Sequence, residues 1–380
     1  MDANDFRRGL EGVLAAETSI GSVRGLEGFY HYRQYSATEL ARARSFESVW
    51  RLLLDGELGD ATDEAAFAAE VAPLRYLPSG MAVVLAEVVR LSPEASPLDL
   101  LRTSVSLLGT VEGFLASQDR DRAGLSADAL RICAVMPTLV ASLWRLRRGE
   151  EAIEPADGLG FVENYLYMLR GERPPAQHVE AMERYLISTI DHGLNSSTFT
   201  VRVVTSTGAD LAAAVVAGIA ALSGPLHGGA PSRALETLDA IGTAERAEEI
   251  VRRAVERGEK IMGFGHRVYK TVDPRAELMK ETARSLGGER FALAEQVEET
   301  VVRVLRELKP NRELYANVEF FAGVVMEACG VPPELFTPSF AVSRTVGWCA
   351  HALEQASDNR IIRPASRYVG PPPPHPVPPA

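Results

Sequence analysis

Cysteine is scarce in this 380-residue chain: Cys133, Cys329 and Cys349 are the only three. They fit no metal-knuckle or disulfide spacing, so reduced thiols are expected and a disulfide framework is excluded. Basic charge is also short. With 40 Lys and Arg against 51 Asp and Glu, the chain carries −11 at pH 7, and nucleic acid, whose phosphates call for a basic surface, is not an expected partner. Long apolar runs are missing too: the longest, Leu211–Leu222, falls well short of the roughly 20 residues that span a bilayer, so no membrane partner is expected. Residues 1–12 carry Asp2, Asp5, Arg7 and Arg8 with no apolar stretch behind them, which does not read as a secretory signal. A cytoplasmic protein is the expectation. His-Glu-x-x-His, Gly-x-x-x-x-Gly-Lys and Gly-x-Ser-x-Gly are all absent, which removes the common hydrolase and nucleotide-loop readings. No metal is expected.

What remains is an ordinary globular composition, 46% hydrophobic and 24% charged, in a chain long enough for two domains. Apolar residues recur at helical spacing over 45–55, 63–72, 80–91, 97–108, 127–148, 160–169, 178–190, 210–222, 231–240, 244–257, 275–286, 292–308 and 339–356. In the first of these Ser45 is placed to cap and Phe46, Val49, Trp50 and Leu53 form one face. Asn317 is placed to cap a further helix whose apolar face is Phe321, Val324, Val325 and Ala328. Pro and Gly punctuate the gaps, and period-2 alternation is rare, so an all-α fold is expected. The β-branched run 201–207 is the stretch most at odds with that expectation. Seven of residues 371–380 are proline, which predicts a polyproline arm or disordered tail.

The stretch 191–230 organises the rest. Its helix at 210–222 is apolar on every side, hence buried, and it delivers His227 to the corner Gly224-Pro225-Leu226-His227-Gly228-Gly229-Ala230. Glycine permits backbone conformations and close ligand approach that other residues resist. A second histidine sits on such a corner at Gly263-Phe264-Gly265-His266. A lone histidine more often satisfies backbone groups than binds a ligand; two on glycine corners point to a site. His192, beside Asp191, also suits a helix C-terminus, and His31, His178, His351 and His375 read as structural or surface residues. Arg275, Arg344 and Arg363 each have an ordinary reading as a first-turn residue, an ion-pair partner and a surface charge. Glu319 suits the first turn of its helix.

Together these residues resemble a known family. Asp191-His192 with Asn195 and Ser197-Thr198-Phe199, then Ser206-Thr207-Gly208-Ala209-Asp210 and the His227 corner, look like citrate synthase. So do Met262-Gly263-Phe264-Gly265-His266-Arg267-Val268-Tyr269-Lys270 with Asp273-Pro274-Arg275. The likeness runs on through Phe336-Thr337-Pro338, Ser343-Arg344, Gly347-Trp348, Ala350-His351, Glu354-Gln355 and Ile362-Arg363-Pro364, and more loosely back to Glu17-Thr18 and Tyr32-Arg33-Gln34-Tyr35.

The resemblance implies a helical, two-domain, homodimeric enzyme that condenses acetyl-CoA with oxaloacetate and hydrolyses the thioester to citrate and CoA. No permanently bound cofactor is implied; acetyl-CoA is a co-substrate. It implies a large domain at 1–226 and 326–370, a smaller mobile domain at 227–325, and leaves the Pro-rich tail at 371–380 apart. It implies that His227 binds the thioester oxygen, His266 the oxaloacetate carbonyl, and Glu319 removes the α-proton. His192, Arg275 and Arg344 would hold oxaloacetate, with Arg363 reaching in from the other subunit. Arg267, Lys270 and Lys280 are candidates for the CoA phosphates. Fixed guanidinium forks suit a dicarboxylate. One departure stands out: the family pattern Asn-Val-Asp-Phe reads Asn317-Val318-Glu319-Phe320 here. The extra methylene moves the carboxylate by roughly 1.5 Å, where about 1 Å can cost 100-fold in rate. Two rivals follow, a 2-methylcitrate synthase using propionyl-CoA and a non-catalytic paralogue that binds oxaloacetate or CoA. Arg24 also departs from related sequences, which often have an acidic or small residue there.

Overall fold

The computed structural model describes residues 6–228, 230–259, 261–266, 268–269, 271–310 and 314–378, without the side chains of 230–233. Among the described residues there are sixteen α-helices. The first eight are α1 (Ala37–Ala43), α2 (Phe46–Asp55), α3 (Ala61–Val71), α4 (Met81–Leu91), α5 (Pro97–Glu112), α6 (Arg122–Arg147), α7 (Phe161–Arg170) and α8 (Ala176–Thr189). Then come α9 (Ser196–Ser206), α10 (Leu211–Leu222), α11 (Ala230–Ile241), α12 (Ala244–Glu256), α13 (Pro274–Leu286), α14 (Glu289–Leu308), α15 (Val318–Ala328) and α16 (Phe336–Ser357).

Local chemistry explains where many of them start. Ser45 caps α2 by accepting the Ser48 N–H, Asp210 caps α10 through the Ala213 N–H, and Asn317 caps α15 through the Glu319 N–H; such caps contribute about 1 kcal/mol each. The run 201–207 is helical nearly throughout: Asn195 caps α9 through the Ser197 and Thr198 N–H groups, and Val201 and Thr205 are buried. Tertiary burial on α10 and α16 overrides β-propensity there. Strand appears instead at β1 (Gly21–Arg24), β2 (Phe29–Tyr32) and β3 (Tyr35–Ser36). β1 pairs antiparallel with β2, Val23 opposite Tyr30, and β2 with β3, His31 opposite Ser36. Tyr30 and Tyr32 face the core while His31 between them does not, a period of two too brief to read against the surrounding helices. Arg24 ends β1, exposed, paired with Glu27 at 3.4 Å; nothing in the structure explains its departure from related sequences.

At the centre α16 lies on α6, α9, α10 and α8, and Trp348 on α16 is fully buried. Truncating a side chain of this size in a core typically costs about 3–5 kcal/mol. By length and composition α6 could cross a membrane, yet 72% of its most apolar window is buried inside the protein, as befits a core helix. Pro137 lies within it without ending it. All three cysteines are buried and free. The helices α11 to α15 pack chiefly on one another, α13 and α11 on α15 and α12 on α14, and meet the rest mainly where α13 and α15 rest on α8. The end of α8 and the two glycine corners therefore converge. Beyond α16 the chain is extended and exposed to residue 378.

Candidate functional site

The His227 corner follows the C-terminus of α10. The His227 N–H bonds the Gly224 carbonyl at 2.9 Å, and the Thr337 hydroxyl at the start of α16 donates to the Gly228 carbonyl at 2.9 Å. The ring then meets a residue that sequence reasoning gave no role. His227 Nε2 lies 2.8 Å from Ser197 Oγ, which also accepts from Trp348 Nε1 at 3.1 Å and lies 2.8 Å from Asn195 Oδ1. The Ser197 hydroxyl has one proton to give. It goes to Asn195 Oδ1, which also accepts the Ser197 and Thr198 N–H groups, each at 3.1 Å, and the hydroxyl oxygen faces Nε2. Nε2 is thus held at Ser197, and Nδ1 is the ring nitrogen left open. Burial, then the Arg344 charge, pushes the His227 pKa down to about 4. The corner thus presents a neutral ring.

The second corner is built into the start of α15. Gly265 N–H bonds the Tyr315 carbonyl at 2.8 Å and Asn317 N–H the Gly263 carbonyl at 2.9 Å, while Asn317 Nδ2 reaches the Gly265 carbonyl at 3.1 Å. Glycine is required at 263: its φ is +86°, and a Cβ would sit 3.0 Å from the Phe320 ring. His266 and Glu319 accordingly belong to one frame. His266 Nδ1 accepts the Val268 and Tyr269 N–H groups, both at 3.0 Å, which puts its proton on Nε2. That nitrogen lies 3.1 Å from Arg275 Nη2. Two donors so close favour an anionic or carbonyl oxygen between them. Glu319 Oε2 is buried with no hydrogen-bond partner among the described residues. Burial raises its pKa, against the opposing pull of Arg275.

Arginines complete the cluster. Asp273 caps α13 through the Arg275 N–H and grips the Arg275 guanidinium at Nε (3.0 Å) and Nη2 (2.8 Å). Arg344, on α16, is only 2% exposed. Its Nε donates to the Thr189 carbonyl at 2.8 Å and its guanidinium lies 4.5 Å from the Phe340 ring centre, but no carboxylate among the described residues pairs with it. Burial lowers its pKa most, with the Arg275 charge adding to that and Asp191 opposing. His192 stands between these groups, its ring 5.8 Å from that of His266; burial, then Arg275 and Arg344, holds its pKa well below the usual histidine range.

Behind His192 lies a second arrangement missed from sequence. Arg202 Nη1 donates to His351 Nδ1 at 3.1 Å, leaving the His351 proton on Nε2, which faces Asp191 Oδ1 at 3.3 Å. Neither atom has another hydrogen-bond partner among the described residues. Gly347 lets α16 come this close, because a Cβ there would lie 2.2 Å from the Ile190 carbonyl oxygen. The pattern Arg344, Trp348, His351 along one side of α16 was the available signal.

The structure brings His192, His227, His266, Arg275, Glu319 and Arg344 around one region. It does not bring Arg363, which is exposed on the chain beyond α16. Lys280 is engaged elsewhere, with Glu298 at 2.6 Å and over the Phe321 ring. Arg267 and Lys270 lie outside the described residues. A hollow of about 310 Å³ beside Asp239, Arg290 and Glu327 is lined by none of the site residues, and its charges pair with one another. Among the described residues no cluster of potential metal ligands occurs.

The family described as "Citrate synthase, C-terminal domain" matches residues 9–365. The chain is 39% identical over 370 residues to citrate synthase of Haloferax volcanii, covering 97% of both chains. It is 39% identical over 373 residues to citrate synthase 2 of Bacillus subtilis, covering 96% of both. Among solved structures, citrate synthase from Pyrobaculum aerophilum superposes with a TM-score of 0.87 at 38% identity, covering 98% of this chain and 94% of that one. The ternary complex of Thermoplasma acidophilum citrate synthase with carboxymethyl coenzyme A and oxaloacetate gives 0.88 at 27% identity, covering 98% of both.

Proposed function

The chain belongs to the citrate synthase family, whose members transfer an acyl group, and from that premise we propose that it condenses acetyl-CoA with oxaloacetate and hydrolyses the product thioester to citrate and CoA. One observation carries the assignment of the oxaloacetate site: the buried Arg344 guanidinium lacks a carboxylate partner among the described residues and shares its surroundings with Arg275 and His192. An unpaired buried charge costs several kcal/mol, and a dicarboxylate ligand offsets that cost with charge-assisted bonds.

In this reading Arg344, Arg275 and His192 hold oxaloacetate. His266 Nε2–H receives the carbonyl oxygen on which charge develops and gives up its proton there. His227 Nδ1 meets the thioester oxygen, and the Glu319 carboxylate removes a proton from the adjacent carbon. The resulting enol attacks the oxaloacetate carbonyl carbon. Water then cleaves the citryl thioester. Donors fixed where charge appears are the largest single contribution in such chemistry. The ternary complex of the Thermoplasma relative supports both substrates. Residues 227–325 form the unit proposed to close over them, since that part packs chiefly on itself; closure excludes water before condensation. The assembly is proposed to be a homodimer in which the exposed Arg363 enters the other subunit's site.

Free-thiol release from acetyl-CoA and from propionyl-CoA, each with oxaloacetate, tests the assignment. Faster release from acetyl-CoA is expected; faster release from propionyl-CoA would make the product 2-methylcitrate, and none from either would remove the synthase reading. One methylene changes the preference by only about 1–3 kcal/mol. Ser197→Ala provides a narrower check. Without its hydroxyl, His227 Nε2 loses the contact that holds the ring in place, so kcat is expected to fall about tenfold, the scale of one hydrogen bond, with oxaloacetate KM unchanged. Steady-state kinetics would show this, and an unaltered kcat would mean that Ser197 does not position the ring.

A further inference from the structure

Tyr269 touches three of the groups assigned to the oxaloacetate end of the site, His192, His266 and Arg275, yet the sequence reading gave it no task. It is 3% exposed. Its Oη lies 3.0 Å from His192 Nε2, its N–H donates to His266 Nδ1 at 3.0 Å, its ring centre is 4.8 Å from that of His266, and the Arg275 guanidinium lies 5.7 Å from the same centre. A neutral imidazole has one donor and one acceptor nitrogen, so the contact with the phenol decides which nitrogen of His192 can donate to a ligand.

The direction of that bond follows from satisfaction of buried groups. His192 is the sole hydrogen-bond partner of Tyr269 Oη among the described residues. If His192 donated, the phenol proton would be buried without an acceptor, at a cost of about 1–3 kcal/mol. If the phenol donates, Nε2 accepts, both groups are satisfied, and the ring proton is on Nδ1. Burial keeps the phenol protonated throughout the working pH range.

We propose that Tyr269 is a positioning residue for oxaloacetate: its hydroxyl donates to His192 Nε2 and so holds His192 in the tautomer whose Nδ1–H donates to the ligand. The opposite tautomer would present a lone pair towards a carboxylate. The proposal rests on oxaloacetate lying among His192, Arg275 and Arg344. Because Tyr269 acts on one substrate only, its effect should separate the two substrates kinetically.

The experiment uses the full-length enzyme, with oxaloacetate Kd by calorimetry and KM for each substrate. Tyr269→Phe keeps the ring and removes the hydroxyl; oxaloacetate Kd and KM are expected to rise about tenfold, or 1.4 kcal/mol, with acyl-CoA KM and kcat within about twofold of wild type. A double-mutant cycle with His192→Ala separates positioning from packing: in that background Tyr269→Phe is expected to have no further effect on oxaloacetate. Unchanged oxaloacetate affinity in the single variant overturns the proposal, as does an equal loss in the His192→Ala background, or a matched rise in both KM values with a lowered Tm. Failure of the wild-type enzyme to bind oxaloacetate would instead overturn the functional reading beneath it.

Discussion

Glu319→Gln is expected to lower kcat by about 10²–10⁴-fold, the range of a positioned general base, while oxaloacetate affinity stays within about twofold. Glutamine keeps the shape but cannot take a proton. The carboxylate is suited to the role by its surroundings: Oε2 is buried without a hydrogen-bond partner among the described residues, and burial raises its pKa above the ordinary 4.5, with Arg275 opposing. The sign of the pH dependence follows. The base acts when ionised, so kcat/KM for acyl-CoA should fall as pH drops through a value above 4.5, and that acid limb should vanish from the residual activity of the glutamine variant. A full-length pH profile of both enzymes by thiol release measures it; an unchanged limb would assign the titration to another group. Glu319→Asp then tests reach. The Asn317 cap and the bonds from Gly263 and Tyr315 hold the start of α15 in place, so the shorter side chain withdraws the carboxylate by about 1.5 Å and turnover should fall about 100-fold. A rise would mean that glutamate overreaches.

His227→Ala is expected to cost about 10²–10³-fold in kcat, the loss seen when one donor to a developing oxyanion is removed, and to leave oxaloacetate Kd nearly unchanged. The ring is neutral at pH 7, its pKa held near 4 by burial, and its Nε2 is committed to Ser197. Only Nδ1 remains for a ligand, and the proposed ligand atom is the thioester oxygen. Calorimetry with oxaloacetate beside thiol-release kinetics separates the two substrates. Comparable loss of oxaloacetate affinity would contradict the division between the two corners. The same measurement on His266→Ala provides the contrast, since His266 faces Arg275 at 3.1 Å.

Much of the helical architecture was legible because the signals are local. A cap such as Ser45, Asp210 or Asn317 acts on an N–H two or three residues away, and an apolar face repeats every three or four positions, so a window of one or two turns contains all the information. The three short strands failed that test. Tyr30 and Tyr32 are buried by packing with their hydroxyls on carbonyls of Ser188 and Ile187, contacts about 155–158 positions away in the chain. The run 201–207 failed it in the other direction, drawn into α9 by burial on α10 and α16.

For the site, residue types and their glycine corners determined that His227 and His266 were to be read together, and the chain itself determined the family. Only the tertiary structure decided what each ring meets. Ser197 meets His227, Tyr269 meets His192, and Arg202 with Asp191 brackets His351, none of them predictable from spacing. The physical reason is one of range. Helix formation is governed by neighbours within four residues, whereas which nitrogen carries a proton, and whether a guanidinium such as Arg344 has a paired carboxylate among the described residues, depends on hydrogen bonds and desolvation between segments that meet only once the chain has folded.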